Sequence, residues 1–467
     1  MLNIYDGQQP ISRRKLLTVG GLGLGGLALP TLLAGKATGG ETAKHISGKS
    51  VIFLFQQGGP SQHETFDPKP EAPDGVRTVT GVTATNVPGT TFGATMQQTA
   101  KVADKLTVVR GYQTGNGGHN IQPIVGPDSL EANIGVHYSR VVGATRAASG
   151  MPTNTVIYPA SVREDVPGPS ARGDMLATGP HGKAYKPFMP GKGGQLQEDM
   201  SLHLPRERFF NDRQKVLSEL DRLNRQVDAS GQLDALDDMQ RQSYEILLGG
   251  GVANALDVTK EDARTLARYD TSQFVGGKNW NHVSRGRSGY YNAQASSIGH
   301  LLLLARRLCE AGCGFVAIHA GYAGVWDMHA DGNNLNMIDG MNAVGRSFDH
   351  AVAAFVNDLE ERGQSDDIML VCSGEMGRTP KINSRGGRDH WSKLAPLLLY
   401  GGGLSGGQVI GQSTRDGGEP ADEPITPKHL ISTIMHTLFD VGQLRLVSGI
   451  PAEVTQLAQA DPIPGLI

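Results

Sequence analysis

The 467-residue sequence predicts an α/β fold, in which helices cover both faces of a central, mostly parallel mixed sheet. Two observations support this class. Four short, largely apolar runs read as strands buried on both faces, which is typical of parallel sheets, and stretches with helical spacing alternate with them. The length suits one large α/β domain that carries an insertion better than several small domains.

Each predicted strand is an apolar run that a loop signal closes. The first run ends at Gly58-Gly59-Pro60, which cannot continue a strand, and the second ends at Arg110 before a glycine-rich loop. Strands are therefore expected at residues 51–55, 106–109, 314–319 and 368–372. Helices are expected at residues 94–105, 297–311 and 338–362, of which the last is long and amphipathic.

The stretch 125–295 differs from the rest of the chain. Loops rich in proline and glycine lead there into charged segments with helical spacing at 207–229 and 233–248. Charge at helical spacing usually forms a solvated helix face. We interpret this stretch as an inserted loop and helical cap.

The N-terminus has the pattern of a twin-arginine signal peptide. Arg13 and Arg14 precede an apolar, glycine-rich stretch at 19–33 without acidic residues, and small residues follow. The sequence therefore predicts a signal peptide at 1–37, a linker at 38–48 and the main domain at 49–467. We expect export by the twin-arginine pathway to the periplasm or beyond, with membrane contact only through this signal or through its retention as an anchor.

Charge and cysteine content exclude some classes of protein. The chain has 43 Lys and Arg against 46 Asp and Glu, a formal net charge of -3, without a basic stripe, so nucleic acid is not an expected partner. The three cysteines do not form a disulfide framework. Buried thiols are the simpler interpretation, and a bridge between Cys309 and Cys313 stays open for an exported protein.

The loop after the third predicted strand carries a possible metal pair. Asp327 and His329 are two residues apart, so in extended backbone both side chains point to the same side. A carboxylate together with an imidazole suits Zn, Mn or another borderline divalent ion. The alternative is that both side chains only form hydrogen bonds within the loop.

The loop after the fourth predicted strand is the most polar. Glu375 is placed as a metal ligand or general base, and Arg378 as a clamp on an anion, unless the two form an internal pair that fastens the turn. Further along the same loop, Asp389 and His390 are candidate ligands and Arg388 a candidate substrate-binding residue.

The loops after the first two strands supply further candidates. Ser61 is a possible nucleophile with His63 as its base, although the Gly-x-Ser-x-Gly elbow is missing. His63 and Asp67 are also possible metal ligands. After the second strand, His119 is a candidate catalytic residue and Arg110 a candidate substrate-binding residue. Because strand-end loops of an α/β sheet share one edge, these groups together predict one polar, metal-binding site.

The same motifs resemble an exported bacterial family, domain of unknown function 1501, which is common in planctomycetes. The resemblance is collinear over about residues 49–440. It rests on Gly-Gly-Pro-Ser-Gln at 58–62, Phe-Asp-Pro-Lys-Pro at 66–70, Trp-Asp-Met-His at 326–329, Gly-Glu-Met-Gly-Arg-Thr-Pro at 374–380 and Gly-Arg-Asp-His-Trp at 387–391.

This family is regarded as a distant relative of the alkaline phosphatase and sulfatase superfamily. The resemblance implies an alkaline phosphatase-like sheet, one or two divalent ions (Zn, Mn, Mg or Ca) and hydrolysis of sulfate or phosphate esters. Asp327 and His329 resemble the Asp and His ligands of one superfamily site, and His390 the late histidine ligand. The superfamily's strand-end Asp is replaced by Gln56-Gln57, and its nucleophile has no clear counterpart, Thr114 being the hydroxyl of the second loop.

The sequence thus predicts an exported metal-dependent hydrolase whose partner is an anionic ester on a small molecule or glycan. The alternative is a non-catalytic envelope or glycan-binding protein that retains the fold and the polar pocket.

Overall fold

The computed structural model describes residues 5–6, 9–10, 45–146, 149–191, 251–276, 285–320 and 322–467. Two short paired strands, Tyr5–Asp6 and Gln9–Pro10, are its only described part of the predicted signal peptide. The rest of that segment, and the predicted helices at 207–229 and 233–248, lie outside the described residues.

A seven-stranded mixed sheet forms the centre of the fold. The strands are β1 (Ser50–Phe55), β2 (Leu106–Val109), β3 (Asn154–Ile157), β4 (Phe315–His319), β5 (Ile368–Ser373), β6 (Leu397–Gly401) and β7 (Gln408–Ile410). They lie in the order β7-β2-β6-β5-β1-β4-β3. Only β6 runs antiparallel to its neighbours β5 and β2, and the remaining pairs are parallel.

Helices lie between the strands along the chain. They are α1 (Gln97–Ala100), α2 (Ile134–Val142), α3 (Gly251–Leu256), α4 (Ala263–Arg268), α5 (Arg285–Glu310), α6 (Met337–Gly340), α7 (Arg346–Arg362), α8 (Pro427–Leu438), α9 (Val441–Leu444) and α10 (Ala452–Leu457). A π-helical turn, Met341–Gly345, joins α6 to α7. Short 3-10 turns occur at Ala103–Lys105, Pro127–Ser129, Pro159–Ser161, Lys183–Tyr185, Val258–Lys260 and Ser272–Phe274.

Alternate residues of the strands build two apolar cores, one on each face of the sheet. Ile52 and Leu54 of β1 pack in the core that contains α5 and α7. Val51 and Phe53 of β1 pack in the core that contains α2, α8 and α10. The predicted α/β class, with helices on both faces, is confirmed. Because six strands run in one direction, their carboxyl ends share one edge of the sheet.

The four predicted strands exist, but three further strands of the central sheet were not predicted. The strand β3 lies within the stretch interpreted as a cap and pairs with β4, so part of that stretch belongs to the central sheet. The predicted helix at 94–105 contracts to α1 and the turn Ala103–Lys105. Two short side ribbons, Val82–Ala84 with Thr91–Gly93 and Gly377–Arg378 with His390–Trp391, complete the described strands.

The state of the three cysteines agrees with the simpler interpretation of the sequence. Cys309, Cys313 and Cys372 are free and buried, so the structure contains buried thiols and not a Cys309–Cys313 bridge. Within the described ranges, no helix combines the length and apolar character needed to cross a membrane.

Candidate metal centre

Three loops at the carboxyl edge of the sheet bring a group of polar side chains together. His119 comes from the loop after β2, Asp327 from the loop after β4 and Glu375 from the loop after β5. His390 joins them because its strand pairs with Gly377–Arg378, which begins two residues after Glu375. The sheet order thus turns residues distant in sequence into neighbours.

The carboxylate of Asp327 is the centre of this group. Its Oδ2 lies 3.0 Å from Nε2 of His119 and 3.1 Å from Nε2 of His329. Its Oδ1 lies 3.1 Å from Nε2 of His390 and 2.6 Å from Nη2 of Arg378. Burial opposes ionisation, but contact with the three histidines, when their facing nitrogens carry protons, and the charge of Arg378 hold the pKa of Asp327 well below its usual range. The site is built around a permanently charged carboxylate.

The orientation of His390 requires a positive charge between its ring and Asp327. Its Nδ1 lies 3.0 Å from the carbonyl oxygen of Gly117, which can only accept, so Nδ1 carries the proton. In a neutral ring, Nε2 then presents a lone pair to Oδ1 of Asp327 at 3.1 Å. Two lone pairs at this distance repel each other. The contact is favourable only with an imidazolium, or with a cation that both atoms ligate.

His119 faces carboxylates through both of its ring nitrogens. Nδ1 lies 3.0 Å from Oε1 of Glu375, and Nε2 lies 3.0 Å from Oδ2 of Asp327. Glu375 is itself fixed by the backbone N–H of Gly58, which donates to its carboxylate at 2.8 Å. Burial lowers the pKa of His119, but the hydrogen bonds to Asp327 and Glu375 outweigh burial and raise it. When Nδ1 donates to Glu375, Nε2 of a neutral ring faces Asp327 with a lone pair.

These atoms have the arrangement of a metal site. One ligand atom from each of His119, Asp327 and His390 lies within 4.8 Å of the others. Ligands at about 2.0–2.1 Å from a tetrahedral zinc ion lie about 3.4 Å apart. The nitrogen–oxygen separations of 3.0–3.1 Å around Asp327 therefore require outward shifts of only a few tenths of an ångström. Imidazole and carboxylate donors fit a borderline divalent ion.

Two glycines allow the loops to approach this closely. A Cβ on Gly58, whose φ is +119°, would lie 2.7 Å from the backbone N of Asp327. A Cβ on Gly387 would lie 2.4 Å from the backbone C of His329. A side chain at either position would push Asp327 or His329 out of place.

Arg378 lies beneath the centre and is not free to clamp an anion, contrary to the sequence expectation. Its side chain is completely buried. Nε donates to Gly59 O at 2.8 Å, Nη1 to Arg388 O at 3.2 Å, and Nη2 to Asp327 and to Gly58 O. The alternative pairing with Glu375 is also replaced, because the carboxylate partner of Arg378 is Asp327.

Arg388 is likewise unavailable to substrate. It is completely buried, and its Nη2 lies 3.0 Å from Oε1 of Glu64. Its other donors meet the carbonyl oxygens of Thr379, Pro380, Val76 and Arg77. Glu64, the partner of this ion pair, was not predicted as its counterion, because nothing in the sequence connects residues 324 positions apart.

The remaining candidates lie elsewhere. Ser61 is buried, and its Oγ has no hydrogen-bond partner among the described residues. His63 is buried with Nε2 2.8 Å from Asp416 O, and burial, assisted by the charge of Arg388, lowers its pKa to about 4. Asp389, which directly precedes the strand His390–Trp391, is exposed and does not contact Asp327.

Two further predicted residues contact each other and not Asp327. Arg110 and Asp67 pair with each other, with Nε 3.4 Å from Oδ1. Gln57, in the loop after β1, is not a ligand of the centre. Its side chain contacts backbone atoms of Asn120 and Arg172 and accepts from His319.

Asn334 is a contact of the centre that the sequence did not indicate. Its Nδ2 lies 3.2 Å from Nε2 of His329. Asn334 stands in a Gly-Asn-Asn stretch whose composition signals only a turn, so its contact with His329 depends on the loop fold.

Comparison with known proteins gives a family and distant structural likenesses. A Pseudoalteromonas sp. sulfatase, PsFucS1, is 11% identical, with 93% of this chain and 74% of that chain covered and a TM-score of 0.36. Ps i-CgsB is 10% identical over 84% and 72% of the chains, with a TM-score of 0.35. The alkaline phosphatase of the Antarctic bacterium TAB5 is 11% identical over 88% and 99%, with a TM-score of 0.28.

At these TM-scores the likenesses carry no weight for function. No curated protein matches the sequence. The sequence profile of one family, by contrast, matches residues 48–466. The chain therefore belongs to the family described as Protein of unknown function (DUF1501).

Proposed function

We propose that the chain is a metal-dependent hydrolase of sulfate or phosphate esters. The observation that carries this proposal is the contact between Asp327 and His390. Because Gly117 O fixes the proton on Nδ1 of His390, Nε2 and the carboxylate converge on a position that requires positive charge. A divalent ion held by Asp327, His119 and His390 would supply this charge, and His329 could be a further ligand.

The donor set favours zinc or manganese over magnesium and calcium. Imidazole nitrogens suit Zn and related transition ions, whereas Mg and Ca prefer oxygen ligands throughout. Glu375 completes a carboxylate–histidine arrangement, in which its contact with Nδ1 of His119 would leave Nε2 available to hold the ion. An ion held there would supply Lewis-acid chemistry, which polarises an ester oxygen and makes a bound water more acidic.

Exposure indicates the side from which an ester would enter. The side chains of His390 and His329 are 32% and 21% exposed, whereas that of Asp327 is 4% exposed. Substrate therefore approaches over the two exposed imidazoles. Arg378, from below, holds Asp327 in place and offsets its charge.

We infer that water, and not a side-chain hydroxyl, attacks the ester. Ser61, the predicted nucleophile, is buried. Thr114 is also buried, and its hydroxyl is oriented toward Asn116 O at 3.5 Å. Direct attack by water breaks the bond to the leaving alcohol, which takes up a proton, and releases sulfate or phosphate without a covalent enzyme intermediate.

The test is metal analysis of the purified protein, followed by a screen for hydrolysis. We expect bound Zn or Mn in the wild type and its loss in His390→Ala, with hydrolysis of a sulfate or phosphate monoester that depends on that metal. His350→Ala is the matched control, since His350 contacts Arg268 O and not Asp327. A fully folded protein that binds no divalent ion would overturn the proposal. Metal binding without hydrolysis of any ester would favour a non-catalytic glycan-binding protein.

We further propose that the protein acts after export. The support is the Arg13-Arg14 signal pattern of the sequence. Replacing both arginines by lysine should retain the protein in the cytoplasm, as measured by cell fractionation. Unchanged export of the double variant would contradict the twin-arginine route.

A further inference from the structure

A second polar cavity lies at the same edge of the sheet, beyond the ends of β2 and β7. Its volume is about 300 Å³, and its polar lining comes from Lys69, Thr90, Arg110, Gln412 and Ser413. Arg110 directly follows β2, while Gln412 and Ser413 follow β7. The carboxyl ends of adjacent parallel strands are where α/β proteins bind ligands, and this volume is within the usual range of ligand sites.

Two cations in this cavity share one carboxylate. Nζ of Lys69 lies 3.2 Å and Nε of Arg110 3.4 Å from Oδ1 of Asp67. The hydroxyl of Ser413 donates to the other oxygen of Asp67. One negative charge thus faces two positive charges, so the cavity retains a net positive charge.

Both cations keep N–H groups for a ligand. Nε and Nη2 of Arg110 donate to Phe66 O and Thr91 O at 3.0 and 3.2 Å, while its Nη1 has no acceptor within the described part of the chain. Nζ of Lys69 contacts only Asp67 and Ser413 O there, which leaves one of its three donors. An anion in the cavity can accept from both side chains.

The two cations are also held in place before any ligand binds. Asp67 is buried and fixes both of them, and Lys69 itself has a φ of +48°, which is uncommon for a residue other than glycine. Sites with such backbone strain are often functional. Pre-ordering reduces the entropy that a ligand would otherwise lose on ordering Lys69 and Arg110.

We propose that this cavity, here called the Lys69–Arg110 pocket, binds a tetrahedral oxyanion. The ligand is either free phosphate or sulfate, or one sulfate or phosphate group of a polyanionic chain, because the recognising chemistry is the same. Guanidinium and ammonium donors bond such oxygens strongly. The pocket is separate from the metal centre, since its cations pair with Asp67 and not with Asp327.

Calorimetric titration of the full chain with inorganic phosphate and with sulfate at low salt tests the proposal. Arg110→Gln should weaken binding by about tenfold or more, the usual effect of losing a hydrogen bond to a charged group. Arg110→Lys should restore part of the affinity. Lys101→Gln, which removes an exposed lysine bonded to Gln98, is the matched control and should bind as the wild type does.

His390→Ala separates this pocket from the metal centre. It should abolish metal binding and leave the Arg110-dependent affinity for phosphate or sulfate unchanged, so failure of one proposal does not imply failure of the other. If Arg110→Gln unfolds, Lys69→Gln answers the same question, since Arg110 still pairs with Asp67 in that variant.

A sulfated oligosaccharide titrated in parallel distinguishes the two ligand sources. Tighter binding of the oligosaccharide than of inorganic sulfate, with the same loss in Arg110→Gln, identifies a polyanionic chain. Equal binding per sulfate identifies the free anion. Affinity for phosphate and sulfate that is the same in wild type, Arg110→Gln and Lys69→Gln would overturn the proposal.

Discussion

Two buried carboxylates, Glu64 and Asp327, contact buried arginines, yet their surroundings differ in kind. Glu64 receives only groups that can donate, namely Arg388, the hydroxyls of Thr78 and Thr80 and the backbone N–H groups of Val79 and Thr80. Asp327 receives Arg378 and three imidazole nitrogens. The groups around Glu64 are all hydrogen-bond donors of the protein, so this carboxylate needs no added cation.

The difference shows how a structural ion pair can be distinguished from a binding site. A buried charge whose every neighbour is a fixed donor needs nothing further. A neutral His390 faces Asp327 with a lone pair, because its Nδ1 donates to Gly117 O, and a neutral His119 can donate to only one of Glu375 and Asp327. Such a set is complete only with added positive charge, from protons or from a metal ion.

Breaking the Glu64–Arg388 pair should have the largest effect on stability. Arg388→Met leaves the buried carboxylate of Glu64 without its counterion, which typically costs about 3–5 kcal/mol. The free energy of unfolding, measured with urea, should fall by this amount while the metal content of the folded fraction stays unchanged. Arg385→Met, in the same loop but exposed, should change stability by less than about 0.5 kcal/mol. Loss of the metal from the folded fraction of Arg388→Met would contradict the view that the Glu64–Arg388 pair is structural and separate from the metal centre.

Breaking the Asp327 group should instead remove the metal. Asp327→Asn replaces the central anionic ligand with a neutral amide of the same shape. We expect metal affinity to fall by more than the roughly 10–100-fold typical of losing a residue that only supports a ligand. Elemental analysis after dialysis against a chelator measures this. Asp389→Asn, the same change at an exposed carboxylate that was a predicted ligand, should retain the metal, and its loss there would refute the placement of Asp389.

The loss of metal affinity in a Glu375 variant distinguishes a residue that orients a ligand from a residue that is itself a ligand. If Glu375 only orients His119, Glu375→Gln should lower metal affinity by about 10–100-fold, less than Asp327→Asn does. The amide oxygen can still accept from Nδ1 of His119, so the fold should persist. Competition with a chromogenic chelator gives the affinities. An effect as large as that of Asp327→Asn would mean that Glu375 is itself a ligand.

The sequence predicted the edge of the sheet on which the centre lies, and the physical reason is local. Strands such as β1 and β5 can be recognised in the sequence from their apolar runs. The loops that follow such strands lie at one edge of a parallel sheet. Asp327, His329, Glu375, His390 and His119 were therefore predicted to share one edge, and the structure places them in contact. The short strand β7 escaped prediction, since its three half-buried or exposed residues form no apolar run.

What the sequence could not give was the partner of each charge. Arg378 and Arg388 looked alike as anion clamps, but their burial depends on which carboxylate the fold brings beneath them. The partners, Asp327 and Glu64, are 51 and 324 residues away along the chain. Local composition has no information on such distances. The same limit applies to Asp67, whose role as anchor of Lys69 and Arg110 emerges only in the fold.

The buried pair His137–His181 offers a smaller test, since its nitrogens meet only neutral partners. Nε2 of His137 donates to Ser129 O at 2.9 Å, so its Nδ1 accepts from Nε2 of His181, also at 2.9 Å. Burial, with a smaller contribution from His181, lowers the pKa of His137 to about 4. This is opposite to the shift at His119, where two carboxylates raise the pKa.

The sign of the resulting pH dependence follows from proton uptake. Below a pH of about 6.5 the unfolded chain protonates His137, whereas the folded protein does not until its pKa of about 4. Stability from this residue is thus complete above pH 6.5 and is lost as the pH falls toward 4, by about 1 kcal/mol between pH 6.5 and 5.5. Urea unfolding at these two pH values should show this loss in the wild type and about 1 kcal/mol less of it in His137→Gln. A pKa near 6.5 for His137 by NMR would contradict the interpretation, because it would mean that the folded protein admits the charge as readily as water does.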